Sequence, residues 1–339
     1  MSILDNNAIL VTGGTGFLGA YIIRELVEKG YAVRAIRRKG KLPFFIPEAI
    51  LEKVEWVDGD ILDIAALEEA MTGVDTVIHS AAKVSLISRE RKELFKTNIE
   101  GTANLVNLAL SQNIKRLIHV SSVAALGRSD FGATLSEGKQ WGKISLNTNY
   151  SISKYNGEME VWRAIGEGLN AAIVNPSTII GYGDWNVSSC AIFKYVYHEF
   201  PWYTNGITGF VSVKDVAKAI VLLMESDITG ERFVLNGENW SFRQLFDTIA
   251  DGFSKKHPWR EAGPFSSQIV WRLEKLKSAF TGQTPLLTKE SARMAQSKTY
   301  FDNSKMLQYF PGFTFKPLRE ALMEACEAYL QSSQLIKGQ

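Results

Sequence analysis

Residues 8–19 read AILVTGGTGFLG, and few short strings restrict a fold as strongly. The apolar run Ala8–Val11 leads into Gly13, Gly16 and Gly19, and a helical pattern begins at once. Leu18, Ile22 and Leu26, with Ile23 and Val27, recur at the spacing of one helix face. Gly30 is placed to close that helix. A strand running through glycines into a helix N-terminus is suited to holding phosphate. Glycine allows a tight turn and close backbone approach, while the first helical turn offers unpaired N–H groups and the positive end of its dipole. The flanking strand and helix are the context that raises the string above a chance glycine triplet. Gly13, Thr15, Gly16, Phe17, Leu18 and Gly19 are therefore the expected pyrophosphate contacts of a dinucleotide.

The same alternation continues. Ala32–Ile36, Val54–Val57, Thr76–His79, Leu117–Val120 and Ala171–Val174 are short apolar runs separated by helix-length segments. Such runs suit parallel strands covered on both faces by crossover helices. The expected fold is α/β: a Rossmann-type doubly wound parallel sheet with right-handed crossovers. After Pro176 the rhythm changes. Gly181–Gly209 is rich in Gly, Tyr, Trp and Asn and reads as irregular structure lining a site. Val213–Ser226 reads as a helix, Phe233–Leu235 as a short strand, and the chain from Ser241 as mainly helical, ending with Leu318–Leu330. The 339 residues are thus expected to divide into a dinucleotide-binding domain (1–177 and 210–230) and a smaller, mainly helical substrate-binding lobe (178–209 and 231–332).

Two segments bear on the choice of dinucleotide. Arg37 and Arg38 follow the second strand, where NAD-preferring sites usually carry a carboxylate for the ribose 2′-OH. A guanidinium is a planar fork matched to a 2′-phosphate, which favours NADP over NAD. The plainer account is two solvated arginines on a loop. DGDILD, at 58–63, follows the third strand. Asp60 is placed to accept from the adenine amino group, Ile61 to flank the ring, and Asp63 to cap the helix that starts at Ile64.

HSAA (79–82), NIEGTANL (98–105), HVSSVAALG (119–127), NYSISK (149–154) and VNPSTIIG (174–181) follow in order. With TGGTGFLG and DGD, they resemble the extended short-chain dehydrogenase/reductase family, in the NAD-dependent epimerase/dehydratase superfamily, over essentially the whole chain. Tyr150 and Lys154 stand four residues apart, on one helix face. A phenol with a pKa near ~10 is a poor base at neutral pH, and a nearby ammonium favours its ionised form by about 1–3 units. Ser121 and Ser122 end the fifth strand, where an open sheet binds its ligands. The resemblance implies that Ser122 holds the substrate oxygen and Tyr150 exchanges a proton with it. It further implies that Lys154 lowers the tyrosine pKa and binds the nicotinamide ribose, and that Asn98 supports the group. Ser121 stays open as the alternative register, and a backbone-bonding role stays open for Asn98. Ala81 and Ala82 are small enough to wall a cofactor, and Asn175 and Pro176 lie at the end of the sixth strand beside it.

Within the family, YSISKYNGEMEVWRAIGEGLNAAIVNPSTIIG looks like the dihydroflavonol-reductase and 3β-hydroxysteroid-dehydrogenase types, which turn over ketones or secondary alcohols. RAIRRKGKL lacks the acidic pattern of nucleotide-sugar epimerases, and Asn175-Pro176 stands where many of them carry Arg-Pro. The expected activity is hydride transfer between a nicotinamide cofactor and a ketone, aldehyde or secondary alcohol. One rival is an NAD-dependent nucleotide-sugar epimerase or dehydratase, which would retain its NAD. Another is a non-catalytic NADP-binding redox sensor, a type that loses the Tyr–Lys pair this chain keeps. The resemblance also implies a homodimer through helices near Arg89–Gln112 and Asn149–Glu167.

Composition narrows the remaining classes. A net charge of +2 gives no polybasic surface for nucleic acid. Cys190 and Cys326 are far apart and not in CxxC spacing, which fits a reducing, cytoplasmic setting without disulfides. Met1–Asn7 contains Asp5 and no basic stretch, so no secretory signal is expected, and no apolar run of about 18 residues spans a membrane. The four histidines, at 79, 119, 198 and 257, show no metal spacing; His79 and His119 are expected as hydrogen-bonded core residues. Tyr182, Trp185, Trp202, Tyr203, Trp240, Trp259 and Trp271 make the cap aromatic, and Ile269, Leu273, Leu276 and Phe280 form a helical stripe. That stripe is expected to pack the lobe, with an apolar substrate or a membrane surface as the alternative.

Overall fold

The computed structural model describes residues 8–38, 40, 42–127, 132–142, 147–263 and 294–337. Five strands open the chain: β1 (Ala8–Thr12), β2 (Val33–Arg37), β3 (Val54–Asp58), β4 (Val74–His79) and β5 (Arg116–Val120). A sixth, Ala171–Pro176, and a seventh, Glu231–Leu235, complete one parallel sheet. From one edge its order is β3, β2, β1, β4, β5, sixth, seventh. Each expected strand is present, with ends moved by no more than two residues. Successive side chains of a strand face opposite sides. Accordingly Ile9 and Val11 pack with Ile22, Leu26 and Ile220 on one face, whereas Leu10 packs with Val77, Leu105, Val161 and Ile173 on the other. The first cover is helix Phe17–Glu28 together with Val213–Met224; the second comprises helices Ile64–Met71, Gly101–Ser111 and Asn149–Gly166. Gly30, at φ +85°, closes the first helix as expected.

The strand order reverses at β1, which pairs with β2 on one side and β4 on the other. The crevice beyond the carboxyl ends of β1 and β4 is where such a sheet takes its ligand.

Two sequence expectations need correction. Glu231–Leu235 was assigned to the smaller lobe, yet it pairs with Ala172–Pro176 and closes the main sheet, with Phe233, Val234 and Leu235 fully buried. Three apolar residues after a helix carry too little pattern to show which sheet they join. Gly181–Gly209 was expected to be irregular, yet it contains helix Ala191–Tyr197, strand Trp202–Tyr203 and the start of strand Ile207–Ser212. The aromatic and β-branched run IFKYVY hides the helical period there; Phe193 and Val196, three apart, are the pair that turns inward.

The lobe is built on a three-stranded sheet, with Ile207–Ser212 between Thr178–Ile180 and Glu238–Ser241. Helices Ala191–Tyr197, Phe242–Phe253 and Leu318–Lys337 pack Phe193, Leu245, Ile249, Leu322 and Tyr329 against it. Ser241 and Gln244 form a capping box at the start of the middle helix. Tyr182, Trp185 and Trp240 join this core, Tyr203 is buried, and Trp259 is exposed. Trp271 and the stripe Ile269, Leu273, Leu276 and Phe280 lie outside the described residues. Among the described residues no helix is long and apolar enough to cross a membrane, and no cluster of side chains has a metal-ligating arrangement.

Candidate active site

The glycine turn lies at the strand-order reversal. Gly13 has φ +73°, and a Cβ there would meet the Ala81 nitrogen at 2.7 Å, so the ends of β1 and β4 touch where a side chain would stand. Thr12 Oγ1 reinforces the contact: it accepts from Ala81 N at 3.2 Å and pairs with His79 Nδ1 at 2.7 Å. Helix Phe17–Glu28 begins at Gly16 with no side-chain cap. Its first N–H groups are available to an anion. Gly16 is exposed and Thr15 half-buried, whereas Leu18 and Gly19 are buried and Phe17 packs on the core, leaving backbone as their contribution. A flush glycine floor and an uncapped helix start fit the pyrophosphate of a dinucleotide.

The residues near the expected ribose and adenine are less uniform. Arg37 Nε binds Asp58 at 2.9 Å, its register partner on β3, and its guanidinium lies 5.8 Å from the Trp56 ring. Arg38 is the freer cation: its side chain is 79% exposed and 4.0 Å from Asp60. Asp60 accepts from Leu62 N at 2.9 Å, and Asp63 caps its helix through Ala66 N. Ile61 is buried, and its Cδ1 would lie 2.5 Å from a Cβ on Gly101, so its side chain packs inward instead of standing free to flank a ring.

The Tyr–Lys pair is carried on helix Asn149–Gly166, started by Thr148, whose hydroxyl accepts from Ser151 N at 3.1 Å. Lys154 is buried, and its ammonium donates to the Val120 carbonyl at 2.9 Å, at the end of β5. Burial brings its pKa down to about 8, against the opposing charge of Glu158. Ser122 lies near enough to Tyr150 to favour the phenolate, but burial is the larger effect and raises its pKa. The expected depression of this phenol by Lys154 is therefore not what the structure has: the ammonium is directed to Val120 and faces Glu158. The two serines separate cleanly. Ser122 lies near Tyr150, while Ser121 Oγ turns the other way and donates to Glu158 at 2.5 Å.

Asn98 lies on a π-turn, Lys96–Glu100, within an otherwise α-helical run. Such turns are rare and often mark functional positions. Its amide accepts from Lys83 N at 2.7 Å and donates to Lys83 O at 2.9 Å and Ser153 Oγ at 2.9 Å. It thereby ties the segment after Ala81 and Ala82 to the Tyr150 helix, without touching Tyr150 or Lys154 in the described hydrogen bonds. Asn175 is fully buried, and its Nδ2 donates to Ser122 O at 3.0 Å and Glu158 at 2.8 Å; Pro176 is buried in strand register with Leu235. His79 is hydrogen-bonded as expected, between Thr12 and Thr102 Oγ1. His119 is not: neither ring nitrogen finds a partner among the described residues. Burial holds His79 at about 3 and His119 well below the usual imidazole range.

Sequence reasoning passed over Glu158. It stands one turn beyond Lys154 and two beyond Tyr150, the spacing that already paired those residues.

Residues 9–235 match the NAD dependent epimerase/dehydratase family. The chain belongs to that family. Family members similar to it include a Synechocystis sp. protein provisionally named dihydroflavonol 4-reductase, 30% identical over 98% of this chain and 97% of that protein. Cinnamoyl-CoA reductase 1 of Petunia hybrida is 28% identical over 69% of this chain and 74% of its own length. The crystal structure of gox2253 superposes with a TM-score of 0.80 at 31% identity, covering 96% of this chain and 98% of that one. Membership accounts for the seven-stranded sheet and the glycine turn, and makes this an NAD(P)-dependent oxidoreductase or epimerase fold with a small-molecule substrate.

Proposed function

We propose that this family member is an NADP-preferring oxidoreductase that reduces a ketone or aldehyde, or in reverse oxidises a secondary alcohol to its ketone. The observation that carries the reading is the nearness of Tyr150 to Ser122 beyond the end of β5, the strand whose last carbonyl, Val120, holds the buried Lys154 ammonium. A bound nicotinamide dinucleotide supplies or takes the hydride. Ser122 donates to the substrate oxygen, and Tyr150, protonated at neutral pH, delivers a proton to that oxygen as the alkoxide forms. Lys154, its ammonium held at the end of β5 by the Val120 carbonyl, contacts the nicotinamide ribose. Arg38, assisted by Arg37, holds the 2′-phosphate.

Relatives named as reductases support the redox direction, and the retained Tyr–Lys pair argues against a non-catalytic sensor. Helix Asn149–Gly166 packs on Gly101–Ser111, with Arg163 donating to Asn107 at 2.6 Å, and these two helices are our choice for a homodimer face. Buried free thiols at Cys190 and Cys326 suit a reducing cytoplasm.

The test is a fluorescence titration with NADPH and NADH, followed by a screen of dihydroflavonols, aryl ketones and aldehydes. Tyr150→Phe should lower turnover by about 10²–10⁴-fold, the usual worth of general acid catalysis, while NADPH affinity stays near that of the wild type. NAD that copurifies and resists removal would overturn the reading in favour of a nucleotide-sugar epimerase or dehydratase. A fully active Tyr150→Phe would remove Tyr150 from the chemistry.

A further inference from the structure

We propose that Glu158 is the positioning residue of this site: its buried carboxylate anchors the strand end carrying Ser122 and supplies the negative charge facing the Lys154 ammonium. The proposal rests on the reading of Ser122, Tyr150 and Lys154 given above.

Glu158 has no exposed surface. A buried carboxylate is costly unless its lone pairs are met, and an apolar residue would fill the same space with less desolvation cost. Here four donors converge on it: Ser121 Oγ at 2.5 Å, Asn175 Nδ2 at 2.8 Å, Arg232 Nη1 at 3.0 Å and Trp162 Nε1 at 3.2 Å. Four is about the number of acceptor sites that two carboxylate oxygens possess.

The donors come from four directions. Ser121 is at the end of β5, Asn175 on the sixth strand, Arg232 on the seventh and Trp162 on the same helix as Glu158. Asn175 Nδ2 also donates to the Ser122 carbonyl at 3.0 Å. The chain is therefore held on both sides of the Ser122 side chain, through the Ser121 hydroxyl and through the Ser122 carbonyl. Arg232 extends the network outward, donating to the carbonyls of Glu137 at 3.0 Å and Lys139 at 3.1 Å. One carboxylate thus ties three sheet strands and a loop to the helix bearing Tyr150 and Lys154.

The charges around Lys154 leave Glu158 a distinct role. His79 and His119 face it from β4 and β5, and burial keeps both neutral. Tyr150, on the same helix, is protonated at neutral pH. Glu158 favours the charged lysine against burial, and Arg232 is the cation paired with Glu158 on its other side.

NADPH affinity measured against pH gives a test that needs no substrate. In the wild type it should fall as pH rises through about 8, where Lys154 loses its proton. Glu158→Gln should move that fall to lower pH by about one unit or more, the size expected for losing a close opposite charge, and Glu158→Asp should restore it. If Glu158→Gln does not fold, the Glu158→Met/Arg232→Met double variant replaces the whole pair with apolar side chains, a change buried pairs often tolerate; it should show the same shift. A folded variant of either kind with the wild-type profile would overturn the proposal. Lys154→Met with the wild-type profile would instead sink the reading of Lys154, and an active Tyr150→Phe that of Tyr150, without touching the network around Glu158.

Discussion

Lys154 offers a stability measurement that tests the charge balance of the site directly. Its pKa drops from the ordinary 10.5 to about 8 because the side chain is buried. At about 1.36 kcal/mol per unit, the charged form costs the fold roughly 3.4 kcal/mol relative to the neutral form. The sign is that of a depressed cation. Below pH 8 both folded and unfolded chains carry the proton, and the penalty is fully present. Between about 8 and 10.5 the unfolded chain binds more protons than the folded one, so stability rises with pH. Lys154→Met removes the titration and packs a side chain of similar length. The absolute difference at one pH also includes the lost bond to Val120, whereas its change with pH isolates the proton. Stability of the wild type relative to Lys154→Met should rise by about 1.4 kcal/mol between pH 7 and 9, and by about 2.5 kcal/mol by pH 10. Urea unfolding of both proteins at pH 7, 8, 9 and 10 measures it. A difference that stays constant across that range would refute the assignment of Lys154 as a buried, strained cation.

Other predictions concern the cofactor cradle. Arg38→Ala should weaken NADPH by about 10- to 150-fold, the worth of a hydrogen bond to a charged group, and leave NADH unchanged; equal losses for both would contradict a 2′-phosphate contact. Arg37→Ala should weaken NADPH less, because its Nε is engaged by Asp58, and calorimetry on the two variants ranks them. At Gly19 a Cβ would stand 2.1 Å from the Gly13 carbonyl oxygen. Gly19→Ala should therefore cost about 1–3 kcal/mol of stability and abolish NADPH binding; a wild-type melting curve and titration would show that the turn tolerates a side chain.

Much of this was legible in the sequence because local periodicity and tertiary role coincide there. Val11, Ile22 and Ile118 are apolar at their period and lie in the core their period indicates. Gly13, Ser122, Tyr150 and Lys154 stood out as candidates because their motifs sit at element ends, where sheet topology brings ligands. What failed has a physical pattern too. The seventh strand was misplaced because three buried residues fit either sheet equally well. Asn175 and Ile61, both expected at the cofactor, are buried, with the Asn175 amide nitrogen engaged by Ser122 O and Glu158. A strand end specifies position, whereas the direction of a side chain depends on partners far along the chain, such as Glu158 and Gly101. Lys154 was expected to act on Tyr150, but Val120 and Glu158 compete for its ammonium.

His79 and His119 have a consequence for how this protein senses its surroundings. The two rings, 5.2 Å apart, sit within the electrostatic reach of Lys154, and both stay uncharged well below the usual imidazole range. Imidazoles at such a place would ordinarily make a site respond to mild acidification. Here they do the opposite: they are inert filler beneath the ammonium, and the first local charge to change near neutrality is that of Lys154 itself. The protein's own share of the pH response should therefore be level through mild acid and yield on the alkaline side alone, a one-sided response set by the Lys154 proton.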